Sequence, residues 1–155
     1  MKISIQIAKH LREVYLGNNW TASSLKKSLE DVTWSEATQK VYDFNTIAIL
    51  CNHLHYYVLE DLKVLDGQKL IAKDELSFTH DPITCQEDWQ DIKDQMWLDV
   101  EIFSSKIEKL SDETMYMDFV ENKYGSYYRN LHGIIEHAYY HIGQIVLIKK
   151  ILRSE

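Results

Sequence analysis

One proline and five glycines are all that punctuate this chain of 155 residues, and that scarcity of breakers constrains its fold more than any other feature. Long helices with short joints follow. The clearest is TCQEDWQDIKDQMWLDVEIFSSKIEKL, where Trp89, Ile92, Met96, Val100, Phe103 and Ile107 recur on one helical face and Thr84 and Glu87 stand in capping-box spacing. A first helix is predicted over residues 3 to 16, with Ile3, Ile7, Leu11 and Val14 at helical spacing and Gly17 as its stop. A short helical piece over Ser24 to Asp31 and a turn opened by Thr33 lead to a second long helix, with Asn45 as its N-cap and Gly67 at its end. Ser111 caps a further short helix over residues 112 to 120. The last helix is predicted from Ser126 to near Arg153, where Lys149, Lys150 and Arg153 offset the negative end of its dipole. Residues 68 to 83, carrying Pro82, form the one irregular stretch. Four long helices around one core predict an all-α four-helix bundle, a single domain over residues 1 to 155.

Charge and hydropathy narrow the function classes. A net charge of −7 argues against phosphate-backbone binding, because that affinity rests on Lys and Arg neutralising phosphates, so nucleic acid is not an expected partner. No run of eighteen apolar residues occurs, and Lys9, His10, Arg12 and Glu13 interrupt the N-terminal segment, so neither a membrane span nor a signal peptide is expected. Cys51 and Cys85 lack any C-x-x-C spacing and suit a reducing, cytoplasmic setting as two free thiols.

The chemistry is concentrated in the histidines. His137 and His141, in EHAYYHIGQIVLIKK, lie four residues apart and can direct both rings at one point, the spacing a metal needs from two ligands on one helix. Ile134, Ala138, Gln144, Ile145 and Ile148 share their stripe, which turns the pair toward the bundle interior. On spacing alone, two hydrogen-bonded core histidines are the commoner outcome. A zinc site also needs a third protein ligand. The second long helix offers His53, on a stripe with Ile49, Leu50, Tyr56, Tyr57 and Glu60, and His55, on a stripe with Ala48, Cys51, Leu59 and Leu62. Both stripes are apolar enough to be buried, and periodicity does not choose between them.

Three segments together carry a resemblance: NTIAILCNHLHYYV, SFTHDPITCQEDW and LHGIIEHAYYHIGQIVLIKKIL. They resemble the DinB-like (YfiT-related) superfamily of bacterial metal-binding four-helix bundles over nearly the whole chain, most specifically at HAYYHIGQI, which looks like that family's H-x-x-x-H-x-G-Q-I signature. The resemblance implies metal ligands at His137 and His141. It places the third on His53, after the Thr46 to Ala48 start, with His55 as the other candidate. It also implies a bundle with one long crossover connection, for which residues 68 to 83 would serve. His10, His80 and His132 match no ligand position.

Three neutral imidazoles would leave an ion its full charge and an open coordination position, suited to polarising water or a thiol. Imidazole fits zinc or nickel. The resemblance implies a metal-dependent enzyme on a small-molecule substrate, either a thiol-dependent transferase or isomerase using a low-molecular-weight thiol or, second, a hydrolase. Glu60 is the one residue nominated for proton transfer. The rival expectation is a non-catalytic, stress-associated bundle in which metal holds helices together. A homodimer is expected.

Overall fold

A computed structural model describes residues 2–154, and within them the chain is all-helical, with eight α-helices, one short 3-10 helix and no β-strand. The four longest are α1 (Ile3–Leu16), α4 (Ile47–Leu65), α6 (Gln86–Ile107) and α8 (Tyr127–Leu152). Between them stand the short α2 (Leu25–Leu29), α3 (Trp34–Thr38), α5 (Asp74–Ser77) and α7 (Asp112–Tyr116), with the 3-10 turn at Asn122–Tyr124. No helix among the described residues is long and apolar enough to cross a membrane.

Local chemistry sets the helix ends. Ser24, Thr46, Ser111 and Ser126 each accept a backbone N–H of the first turn through the side-chain oxygen, satisfying one of the donors a helix start leaves orphaned. Thr33 and Glu36 form a reciprocal capping box on α3. α1 stops at Gly17, whose φ of 124° is open to glycine and costly for other residues. Three sequence expectations shift here. The cap of α4 is Thr46 rather than Asn45, because Thr46 Oγ1 takes the Ile49 N–H at 3.2 Å. At the start of α6 it is Asp88, not Glu87, that reaches back: its Oδ2 accepts from the Thr84 N–H at 2.8 Å, the Thr84 hydroxyl at 2.7 Å and the Cys85 N–H at 3.2 Å. And α7 ends at Tyr116. Met117 turns extended, its carbonyl accepting the Tyr127 N–H and the Phe119 N–H bonding to the Gly125 carbonyl, so that Phe119 is buried against Tyr127 instead of continuing the helix.

The four long helices touch in a ring, α1 against α6 and α8, and α4 against the same two. Their inward stripes merge into one apolar cluster in which Leu11, Tyr15, Leu54, Trp89, Met96, Phe103, Ile107 and Ile145 are fully buried. The periodic face read in α6 is this buried face, except that Ile92 stays partly exposed. Trp89 also ties the core to the α2–α3 joint by donating its indole N–H to the Val32 carbonyl at 2.9 Å. The contact between α4 and α8 is the one that positions the candidate site.

Candidate metal centre

His53 in the middle of α4 faces His137 and His141 in the middle of α8. One nitrogen from each of the three rings falls within 4.8 Å of the other two. His137 Nε2 stands 3.0 Å from His53 Nε2 and 2.9 Å from His141 Nε2. Zinc–nitrogen bonds of about 2.0–2.1 Å at a tetrahedral angle put ligand nitrogens roughly 3.3 Å apart, so one ion fits if His137 draws back slightly from both neighbours and His53 and His141 draw together.

Hydrogen bonds fix which nitrogen of two rings points inward. Ser77 Oγ donates to the Asp74 carbonyl at 2.5 Å, so toward His53 it can only accept, and His53 Nδ1–H is the donor in their 2.6 Å bond. His141 Nδ1 lies 2.6 Å from Gln144 Oε1, again an acceptor. Both rings are thereby held as the tautomer whose bare Nε2 faces the cluster, the arrangement ligating histidines adopt. Burial pushes all three imidazoles below their ordinary pKa, and His137, with two neighbouring rings adding to the effect, falls to about 4. Neutral lone pairs converging on one point repel one another and suit a cation.

The segment between α4 and α6 wraps this cluster. The Phe78 ring stacks on His53 at 4.3 Å and 19°, and Tyr57 meets the same imidazole edge-on at 5.2 Å. The Tyr57 hydroxyl donates to Asp74 Oδ1 at 2.6 Å, and the Asn52 side-chain amide donates to the carbonyls of Ser77 and Thr79 at 2.7 and 2.9 Å. Ser77, Phe78 and Asp74 did not stand out in the sequence. Ser77 and Phe78 lie in SFTHDP, one of the segments that carried the resemblance, and Asp74 lies just before it with no signal of its own.

The other expected residues separate. His55 points away from the cluster toward α6, its Nε2 2.8 Å from Asp99 Oδ2. His132 packs with His10 and Tyr128 and faces Glu136, and His80 bonds the Asp81 carbonyl. Glu60 is buried, with Oε1 2.5 Å from Lys63 Nζ. A cavity of about 660 Å³ opens beside the cluster, lined by His53, His137, Tyr57, Asp74, Arg129 and Asp61 among others. The acidic residue of α4 that lines this wall is thus Asp61 rather than its neighbour Glu60. Desolvation, with Glu60 adding to it, pushes the Asp61 carboxyl up to about 7.

Fold and site together define the class: a protein all-helical over its described residues, in which two of the four long helices carry a three-histidine group able to hold a metal ion. The chain belongs to the family described as protein of unknown function (DUF1572), matched over residues 7–155. No curated protein and no solved structure matches it significantly.

Proposed function

We propose that this chain is a DinB-like four-helix bundle that binds one divalent ion, zinc or nickel, through His53, His137 and His141. On this reading it is a metal-dependent enzyme acting on small molecules, of the thiol-dependent transferase or isomerase type. The single observation that carries the reading is the anchoring of His53 and His141 by Ser77 and Gln144, which aims bare Nε2 atoms at His137 beside a cavity. The ring of four long helices and the 68–83 connection support the DinB-like arrangement. A bound divalent ion would polarise a thiol or water and stabilise its anion.

The chain's own residues do the remaining work. Phe78 and Tyr57 cover His53 and keep water from its ring. The Tyr57 phenol stays protonated well above neutrality, raised by burial and by its bond to Asp74, so it acts as a fixed hydrogen-bond donor that holds the covering segment down. A proton-transfer role for Glu60 would run through Asp61, which it adjoins and which lines the cavity. A cytoplasmic homodimer is part of the proposal.

The test is a screen of the zinc- and nickel-loaded protein for transfer of low-molecular-weight thiols to electrophilic acceptors, and for ester and amide hydrolysis, each with and without chelator. Chelator-sensitive thiol transfer that His137→Ala abolishes is the expected result. A fully loaded protein inert in every assay would instead favour a metal that only ties α4 to α8.

A further inference from the structure

Asp61 is a carboxylate that stands apart from the three histidines, and its surroundings are unusual. It is only 7% exposed, and among the described residues no hydrogen bond or ion pair reaches it; the Tyr15 hydroxyl, itself without a hydrogen-bond partner, lies within electrostatic reach of it but does not bond it. Buried carboxylates are ordinarily paired or hydrogen-bonded, and those that are not hold a proton or wait for a partner. Burial has that effect here, raising the carboxyl to about 7.

Its position gives the missing partner an address. Asp61 follows His53 by two steps of four on α4, through Tyr57, so the three residues share one stripe, and eight residues of helix separate His53 from Asp61 by about 12 Å along the axis. All three line the same cavity, and Leu70, Ala72 and Ile134 contribute apolar wall to it. The cations nearby are engaged elsewhere. Lys63 is held by Glu60, and Arg129 on the opposite wall bonds Glu136 at 3.1 Å with its side chain 65% exposed. The second carboxylate on the wall, Asp74, already accepts the Tyr57 hydroxyl. Asp61 therefore offers the cavity a buried carboxyl with no protein cation bonded to it, and an arriving cation would favour its ionised form, where a low local dielectric strengthens a charge-assisted bond.

We propose that Asp61 is the ammonium-binding end of this cavity, and that the natural ligand is a small molecule bearing a primary amine about 12 Å from the atom that reaches the histidine cluster. The proposal rests on the three-histidine metal reading, which places the other end of the ligand. It narrows the substrate class from any small molecule to amine-bearing ones with an apolar or uncharged middle. A neutral alcohol of equal length keeps at most an uncharged hydrogen bond to Asp61 and loses the charge pairing, and a short aminothiol cannot span the distance.

The experiment uses the full chain loaded with Co(II), in which thiolate coordination produces a charge-transfer absorption band. The probes are 8-aminooctane-1-thiol, its 8-hydroxy counterpart, and the short pair 2-aminoethanethiol and 2-hydroxyethanethiol. The long amine should bind about tenfold tighter than the long alcohol, as one bond to a charged group confers. The short pair should show no such preference. Asp61→Asn should abolish the long-chain preference while leaving Co(II) affinity unchanged. Equal affinity of the two long probes in the wild-type protein overturns the inference without requiring any variant to fold. So does a preference that persists in Asp61→Asn. Failure of the wild-type protein to bind Co(II) would instead remove the metal reading, and this inference with it.

Discussion

His53 and His141 each commit one ring nitrogen to a fixed oxygen, and that commitment leaves the other nitrogen free for a ligand. Removing the acceptor should therefore weaken metal binding without removing a ligand. Ser77→Ala and Gln144→Ala are each expected to lower zinc affinity about 10–100-fold in competition with a chromophoric chelator, with helical content by circular dichroism unchanged. Asp61 yields a second prediction at this scale. Its folded pKa is raised to about 7 from an ordinary value near 3.8. Between those values the unfolded chain has released a proton that the folded one keeps, so this group's contribution to stability falls as pH rises through the window. Asp61→Asn has no such loss. Its stability relative to wild type should rise from pH 4 to pH 7 by about 1–3 kcal/mol, measured by urea unfolding at each pH. Of the site residues, the His137 and His141 spacing was legible because a helix maps four-residue separations onto one face. The choice between His53 and His55 was not, because both faces of α4 are apolar. What separates them is the neighbour each face meets, α8 for His53 and Asp99 on α6 for His55.

At the level of elements, the 68–83 connection does more than join α4 to α6. Through Asn52, Tyr57 and Ser77 it is fastened onto the helix that carries His53. Asn52→Ala leaves two carbonyls without their donor and should cost about 1–2 kcal/mol. Hydrogen exchange should rise selectively over residues 74 to 80, with α6 unaffected. The C-terminal turns of α8 are pinned differently. Arg153 bonds Glu36 at 2.7 Å and Asp31 at 2.6 Å, and Lys149 reaches Asp31 at 2.8 Å. The bond to Arg153, then the Thr33 N–H, holds the Glu36 carboxyl down to about 2. A carboxyl lowered in the folded state contributes stability that is present above its ordinary value near 4.5 and is lost as pH falls through 2. Arg153→Ala should destabilise by less than about 1 kcal/mol at pH 7, because the network is largely solvent-exposed. The effect should weaken as pH falls through 2, with the Asp31 carboxyl, held down further by Lys149 and Arg153, the last to protonate, and it should vanish in molar salt. Helix positions could be read from periodicity to within a residue or two, since each long helix buries a stripe. The turn at 117–126 could not, because Met117 to Phe119 would extend a helix on local grounds. Backbone bonds to residues 125 and 127 and the burial of Phe119 override that preference.

Taken whole, the molecule reads as helices arranged to bring α4 against α8, with an acidic-walled cavity at their junction. Several large apolar side chains stay outside the core, Trp20 at 98% and Tyr42 at 71% exposed among them. A homodimer covering part of this surface is expected in light scattering across a wide concentration range, and a constant monomer mass would remove that element of the proposal. The all-helical class followed from the scarcity of breakers and from periodicity, both local properties. The cavity and Asp61's place in it did not, because they depend on how a loop from one half of the chain and a turn from the other meet over α8. The central claim is that His53, His137 and His141 hold one ion together. Elemental analysis of tag-free protein, dialysed after exposure to zinc or nickel, tests it most directly. About one equivalent per chain is expected in the wild type, and its loss in both His53→Ala and His137→Ala. Metal content unchanged by those substitutions, or none in the wild type, would contradict it.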